Sequence, residues 1–178
     1  MKKGPAIFTV GHSTRSIEDF IEVLRAYQIE EVVDVRTIPR SRHNPQFNSD
    51  ILPKSLGKAG IGYLHMKGLG GLRHSLKDSL NTGWHNLSFR GFADYMQTKE
   101  FLENIERLIA LSVERRLALM CAEALPWRCH RSLIADALSI RGMEVVHISS
   151  GTSSHAHALT PFAKVRGRHI TYPPEGEG

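Results

Sequence analysis

Short apolar runs alternate along the chain with segments in which apolar residues recur every three or four positions. The runs predict buried β-strands, and the recurrence predicts amphipathic α-helices. The candidate strands are 7–10, 32–35, 63–66, 117–121 and 145–148. One candidate helix begins at Ser16, and two others cover 101–109 and 132–138. This alternation predicts an α/β fold with a mostly parallel sheet flanked by helices, in a Rossmann-like three-layer arrangement.

Other segments interrupt the alternation. Prolines and glycines between 44 and 62 break any period and predict an irregular insertion, and the Gly-rich stretch 67–91 is either a lid over a site or variable surface. From Gly151 onward Ser, Thr, His, Gly and Pro become frequent, so we expect an α/β domain over 1–150. Residues 151–178 are then a C-terminal extension that can pack on the same domain. Within it, 162–172 can form a β-hairpin.

Composition and charge narrow the classes of partner. Hydrophobic residues make up 41% of the 178, which is typical of a globular protein. The net charge of +5 and the pI near 9.4 favour an anionic partner, whether nucleic acid, nucleotide, phosphorylated metabolite or membrane surface. No apolar run reaches the roughly 18 residues of a membrane span, and no signal-peptide core follows Pro5. We therefore expect a cytoplasmic protein that does not enter a membrane.

Polar residues follow the predicted strands at the point where each strand ends. Gly11-His12-Ser13 follows the first strand, Asp34 and Arg36 close the second, and Cys121-Ala122-Glu123 closes the fourth. Because ligands of parallel sheets bind outside the carboxyl ends of the strands, we expect these groups to share one crevice. The alternative is that such loops are polar in any α/β protein.

The cysteine motif between 121 and 132 is the sharpest local signal. Cys129 stands at the predicted start of a helix and has Arg128, His130 and Arg131 as neighbours. The helix dipole and nearby cations both favour a thiolate, and the same groups hold phosphate or carboxylate. Cys129 is therefore a candidate nucleophile, a lining residue of an anion pocket, or an inert helix-start residue.

The spacing of the two cysteines excludes several familiar sites. Cys121 continues an apolar strand, so a packed core thiol is the alternative to a catalytic one. The order of Cys121, Arg128, Cys129 and Arg131 does not give the Cys-x5-Arg loop of cysteine phosphatases. Cys-x7-Cys also lacks the close pair of structural zinc sites and the Cys-x-x-Cys of disulfide oxidoreductases. A redox relay requires the loop to fold back, and a metal-binding or thiol-redox protein stays an alternative.

Further side chains are candidates for proton transfer and substrate binding. Glu123 and Asp34 are carboxylates whose surroundings can tune one as a base, or else simple ion-pair partners of nearby arginines. His12 is either an acid–base group or a hydrogen-bonded loop residue. The candidate substrate-binding residues are Arg36, Arg128, Arg131, Ser13, His130 and Ser41.

A basic segment over 36–43 suggests a different function. Its arginines can follow the phosphates of a nucleic acid, although short basic loops are more often solvated surface. No Gly-x-Gly-x-x-Gly follows the first strand, and no phosphate-binding P-loop is present. A non-catalytic nucleic-acid-binding module is therefore the second hypothesis.

Three spaced motifs together resemble one known family. They are Thr9-Val10-Gly11-His12-Ser13, Asp34-Val35-Arg36 with Pro39 and Ser41, and Cys121-Ala122-Glu123 with Cys129-His130-Arg131. Together with Thr160-Pro161-Phe162 and Tyr172-Pro173 in the tail, they are similar to the family called domain of unknown function 488. The resemblance implies a compact α/β domain with a cysteine motif suspected to be an active site. The residues it carries over are His12, Ser13, Asp34, Arg36, Cys121, Glu123, Cys129, His130 and Arg131.

The leading hypothesis is a hydrolase or transferase with a cysteine-containing, anion-recognising site at the carboxyl edge of the sheet. In it, Arg36, Arg128 and Arg131 hold phosphate or carboxylate. Glu123 or His12 moves a proton, and Cys129 or Cys121 is the nucleophile or a polar lining group. The partner is an anionic small molecule or a nucleic acid, and the motifs indicate no particular cofactor.

Overall fold

The computed structural model describes residues 5–175, which form one six-stranded sheet, five α-helices and a separate hairpin. The strands of the sheet are β1 (Ile7–Gly11), β2 (Glu31–Asp34), β3 (Gly62–His65), β4 (Leu117–Cys121), β5 (Val145–Ser150) and β6 (Ser153–Ala156). The helices are α1 (Ile17–Ala26), α2 (Leu52–Lys58), α3 (Leu87–Tyr95), α4 (Lys99–Glu114) and α5 (Arg131–Ser139). The hairpin consists of β7 (Lys164–Arg166) and β8 (His169–Thr171).

The sheet has the order β3-β2-β4-β1-β5-β6, and β1 to β5 run parallel. All five residues of β1 and of β4 are buried, because helices cover both faces of the sheet. The central positions of β2, β4 and β1 bring the loops after these strands together at the carboxyl edge. The predicted mostly parallel α/β fold is confirmed.

Alternate residues of β1 divide the core into two apolar layers. Ile7 packs in the layer formed with α3, α4 and α5. Phe8 and Val10 pack in the other layer, formed with α1 and α2. Successive side chains of a strand point to opposite faces, so the continuous apolar run serves both layers. The three-layer arrangement follows from this alternation.

Helix α1 begins where the sequence predicts. Ser16 is its N-cap, and the Ser16 side chain accepts a hydrogen bond from the Asp19 backbone N–H at 3.1 Å. Phe20 and Leu24 then fall on the buried face of the helix. The capping residue and the apolar spacing both lie within one short segment, so this element can be predicted without tertiary information.

Two segments for which the sequence predicts no helix, the irregular insertion 44–62 and the Gly-rich stretch 67–91, each contain helical residues. Helix α2 lies inside 44–62 and has Pro53 in its first turn, where proline replaces an N–H that has no helical partner. Helix α3 begins near the end of 67–91, capped by the Asn86 side chain. The proline that suggested a break therefore stands at a helix start.

The C-terminal segment contributes both to the sheet and to its cover. Strand β6 pairs antiparallel with β5, and the β7–β8 hairpin confirms the hairpin predicted over 162–172. Gly167 has a φ of +60° in the hairpin turn, a conformation that glycine adopts readily. Tyr172, just after the hairpin, is fully buried in the main core. Within residues 5–175, no helix is long and apolar enough to cross a membrane.

Candidate functional site

A cavity of about 330 Å³ lies at the carboxyl edge of the sheet. Its lining comes from the loop after β2, the segment before α3 and the first turn of α3, and the chain from the end of β4 to the start of α5. The lining residues are Arg36, Thr37, Ile38, Arg40, Gly71, Leu72, Ser88, Phe89, Cys121, Ala122, Glu123, Arg128, Cys129 and His130. Several of the residues predicted from strand ends therefore do share one crevice.

The two cysteines meet in this cavity. Cys121 is the last residue of β4, and a short 3-10 turn, Pro126–Arg128, returns the chain so that Cys129 faces it. Their Sγ atoms are 2.9 Å apart, and both residues are free thiols with 3% and 7% of their surface exposed. The loop thus folds back in the way that a thiol pair requires.

The surroundings shift the pKa values of the two thiols in opposite directions. Burial and the neighbouring Cys129 raise the pKa of Cys121 well above that of a free thiol. The hydrogen bond with Cys121, and then contact with His130 and the charge of Arg131, lower the pKa of Cys129 well below it. Cys129 is therefore the thiol that ionises more readily, and Cys121 can donate a hydrogen bond to its sulfur.

His130 is oriented toward Cys129 by a backbone contact. Its Nε2 lies 2.9 Å from the carbonyl oxygen of Val35, and its Nδ1 lies 3.4 Å from Cys129 Sγ. Because a carbonyl oxygen only accepts, Nε2 carries a hydrogen. In the neutral ring Nδ1 is then the acceptor that faces Cys129, so the ring can take a proton from that thiol.

Arg131 is fully buried under the site and does not line the cavity. Its Nη1 donates to Thr9 Oγ1 at 3.0 Å, and its Nη2 donates to the Glu123 carbonyl at 2.6 Å. The Arg131 backbone N–H points to Cys129 Sγ at 3.5 Å. Arg131 thus supports the cysteine loop from behind.

Asp34 and Arg36 form a buried ion pair beside the cavity. Arg36 Nε and Nη2 donate to the two carboxylate oxygens at 2.9 and 2.7 Å, and Tyr63 Oη donates to Asp34 at 2.6 Å. Arg36 Nη2 also donates to the Phe47 carbonyl. The Asp34 carboxylate is therefore occupied by donors, in the ion-pair arrangement that was the alternative to a catalytic role.

His12, Ser13 and Ser41 lie outside the cavity lining. The His12 ring stacks on Phe47 with 4.3 Å between centroids, and burial lowers its pKa. The Ser13 backbone N–H donates to the Ala122 carbonyl, and the Ser41 hydroxyl accepts from the Asn44 backbone N–H. These residues join the loops around the site.

Glu123, Arg128 and Arg40 bring charge to the cavity. Glu123 is partly exposed, and its Oε1 accepts from the Leu125 backbone N–H at 3.2 Å. Arg128 and Arg40 are exposed. A ligand bearing a carboxylate can therefore meet two guanidinium groups as well as one acidic group.

Sequence reasoning missed the residues that reach the cavity from 67–91. The backbone of Gly71 approaches the His130 ring so closely that an added Cβ atom would lie 2.6 Å from Nδ1. Leu72 and Ser88 line the cavity nearby. Only the glycine-rich composition of the segment pointed to such a close approach.

Gly11 allows the cysteine loop to pack on β1. A Cβ atom at Gly11 would lie 1.9 Å from the Glu123 carbonyl oxygen, which is backbone and cannot turn away. We expect Gly11→Ala to lower the free energy of unfolding by about 1–3 kcal/mol or more, measured by urea denaturation. Gly57→Ala is the matched control, because Gly57 lies in α2 with nothing within 4 Å of an added Cβ. A Gly11 variant as stable as the Gly57 variant would contradict the close packing.

Within residues 5–175, no group of three or more His, Cys, Asp or Glu side chains is placed to hold a metal ion. The metal alternative therefore gains no support from the thiol pair and the histidine beside it.

Comparison with protein families identifies one match. The family model described as domain of unknown function DUF488 matches residues 16–138. This span includes Asp34, Arg36 and the whole cysteine motif, and it leaves out Gly11-His12-Ser13 and the tail. Neither the curated proteins nor the solved structures contained a match. Because the family model covers most of the chain, the protein belongs to the DUF488 family.

Proposed function

We propose that this protein is a thiol-dependent oxidoreductase in which Cys129 attacks a small disulfide and Cys121 resolves the product. The observation that carries the proposal is the 2.9 Å contact between the two Sγ atoms at the cavity wall. A disulfide bond is about 2.05 Å long, so the sulfurs need to approach by less than about 1 Å. A hydrolase or transferase with one nucleophile has no need of a second thiol in contact with it.

The proposed reaction has two exchange steps. The Cys129 thiolate attacks one sulfur of the substrate disulfide, forming a mixed disulfide and expelling the other half as a thiolate. In the mixed disulfide, the Cys129 charge that contributes to the raised pKa of Cys121 is gone, so Cys121 can lose its proton to solvent and attack Cys129 Sγ. This attack expels the second half as a thiolate. The substrate is reduced to two thiols while Cys121 and Cys129 are oxidised to a disulfide. A dithiol reductant restores the free pair.

The cavity favours a small, amino-acid-like substrate. Its volume of about 330 Å³ lies at the low end of small-molecule sites. Arg40 and Arg128 can bind carboxylates, while Glu123 can bind an ammonium group. Leu72 and Phe89 provide apolar contact for the carbon chain. Cystine combines all these features and is therefore the probe of choice.

The experiment is exposure of the reduced wild-type protein to cystine at pH 6, followed by mass spectrometry. We expect two moles of cysteine released per mole of protein and a product about 2 Da lighter, because the two thiol hydrogens are lost. Uncharged 2-hydroxyethyl disulfide is the control for the charged cavity and should react more slowly. Retention of both free thiols with cystine would overturn the proposal.

A covalent transferase or hydrolase is the second candidate. The observation that favours it is the contact between Cys129 and His130, whose ring is fixed by the Val35 carbonyl. In such an enzyme Cys129 is the nucleophile, His130 the base and the Val35 carbonyl the orienting group. Such an enzyme needs Cys129 but not Cys121. Reaction with cystine that stops at the mixed disulfide, with no Cys121–Cys129 bond formed, would favour this candidate.

A further inference from the structure

A buried polar chain begins at Asp136 on α5. The Asp136 carboxylate is fully buried and accepts hydrogen bonds from His157 Nε2 at 2.7 Å, Tyr172 Oη at 2.8 Å and the Thr160 hydroxyl at 2.7 Å. The Thr160 backbone N–H also donates to it, at 3.1 Å. With four donors around it, the carboxylate is a fixed acceptor at one end of the chain.

This chain of hydrogen-bonded side chains continues from the C-terminal segment through β5 to β1 and ends at Arg131. His157 Nδ1 lies 2.8 Å from His147 Nε2, and His147 Nδ1 lies 2.6 Å from Thr9 Oγ1. Thr9 Oγ1 in turn accepts from Arg131 Nη1 at 3.0 Å. The polar chain, as we call it, therefore consists of Asp136, His157, His147, Thr9 and Arg131.

With both rings neutral, the two ends determine the hydrogen positions between them. Asp136 accepts, so His157 carries its hydrogen on Nε2 and accepts at Nδ1 from His147. His147 then accepts at Nδ1 from the Thr9 hydroxyl, which leaves the Thr9 oxygen free to accept from Arg131. Burial, together with the neighbouring His157, Arg131 and His155, lowers the pKa of His147 to about 3, which keeps its ring neutral. Every contact of the chain is satisfied in this arrangement.

Arg131 is a buried cation without a carboxylate partner in the part of the chain that the structure describes. Its three guanidinium contacts go to a hydroxyl and to the carbonyls of Glu123 and Ala124, and Nε has no hydrogen-bond partner. A buried charge needs a nearby opposite charge, because desolvation costs several kcal/mol. The Cys129 sulfur, two residues before Arg131 in sequence and contacted by its backbone N–H, is the neighbouring group that can supply one.

We propose that Thr9, His147 and His157 are positioning residues that hold Arg131 as the counter-cation of the Cys129 thiolate. The inference rests on the proposed function, since it assigns a cation to the nucleophile of that reaction. The inference also gives the C-terminal segment a role in the site. His157 lies just after β6 and contacts His147 of β5, so the polar chain includes a residue of this segment.

The test compares Thr9→Val with Thr9→Ser by the rate of Cys129 alkylation with iodoacetamide against pH, each in a Cys121→Ser background. Valine removes the hydroxyl that Arg131 donates to, and serine retains it. We expect the Thr9→Val profile to move up by about one pH unit, so that alkylation well below the midpoint of the profile slows about tenfold, while Thr9→Ser keeps the parent profile. The rate at high pH, where every thiol is ionised, should not change.

None of the variants replaces another charged group around Cys129. Besides Arg131, those in contact with it or around the cavity are His130 at the cap of α5, Arg36 and Arg40 after β2, and Glu123 and Arg128 after β4. Iodoacetamide is uncharged, so these groups affect its approach little. A change in the profile therefore reports the ionisation of Cys129.

Tyr172→Phe is the matched control, because it removes a hydrogen bond from Asp136 without interrupting the path to Arg131. It should destabilise the protein and leave the profile unchanged. If Thr9→Val does not fold, His157→Gln interrupts the same path from a less buried position and should shift the profile in the same direction. An unshifted profile in the folded variant overturns the inference. Alkylation of Cys129 in the wild-type protein with an ordinary thiol profile would instead overturn the proposed function itself.

Discussion

Replacing Cys129 with serine is expected to lower the rate of reaction with cystine by at least about 1000-fold, because the proposed nucleophile is lost. The remaining thiol, Cys121, is a poor substitute. Burial raises its pKa, so it stays protonated at pH 6 and its sulfur is almost inaccessible. A hydroxyl at 129 also cannot form the disulfide product. The decrease should appear in stopped-flow measurements of thiol release.

Replacing Cys121 with serine is the matched variant, and it should give a different result. Cys129 can still attack, so the first mole of cysteine should be released, but no second thiol is present to resolve the adduct. The protein should therefore accumulate a mixed disulfide about 119 Da heavier, the mass of one added cysteinyl group, visible by mass spectrometry. The first step should also slow, because the hydrogen bond from Cys121 that lowers the pKa of Cys129 is lost. Equal reactivity of the two serine variants would contradict the assigned roles.

The sequence predicts the location of the site better than its internal contacts. Cys121 and Glu123 follow an apolar run that is recognisable as a central strand, and the carboxyl edge of a parallel sheet brings such residues together. The contact between Cys121 and Cys129 depends on the path of seven intervening residues, including the 3-10 turn at Pro126–Arg128. No periodicity in the sequence encodes that path.

The roles of the arginines show the same limit. Arg128 and Arg131 flank the same cysteine, yet Arg128 is exposed beside the cavity and Arg131 is buried below it. Which of the two arginines is buried depends on the geometry of the first turn of α5 and on the presence of a buried hydrogen-bond partner such as Thr9. Thr9 lies in an apolar strand, and its place in a motif does not reveal that its hydroxyl binds Arg131. Tertiary packing therefore determines which arginine is exposed at the cavity and which is buried in the core.

The buried pair of Asp34 and Arg36 leads to the other large expected effect. Only 6% of the Arg36 side chain and none of the Asp34 side chain is exposed, so removal of the guanidinium leaves a carboxylate without its counter-charge. We expect Arg36→Met to lower the free energy of unfolding by about 3–5 kcal/mol, measured by urea denaturation at pH 7. Tyr63→Phe, which removes only one donor from Asp34, should cost about 1.5–3 kcal/mol.

The double variant Asp34→Leu/Arg36→Met separates unpaired charge from lost packing. With neither charge of the pair left, it should be more stable than Arg36→Met alone, because the penalty for a buried, unpaired carboxylate is gone. If the single Arg36 variant costs no more than Tyr63→Phe, the carboxylate does not depend on the arginine. Arg36 also donates to the Phe47 carbonyl and thereby ties down the segment that carries Arg40 to the cavity. Even the double variant should therefore bind cystine more weakly, because a stable core does not restore the position of that segment.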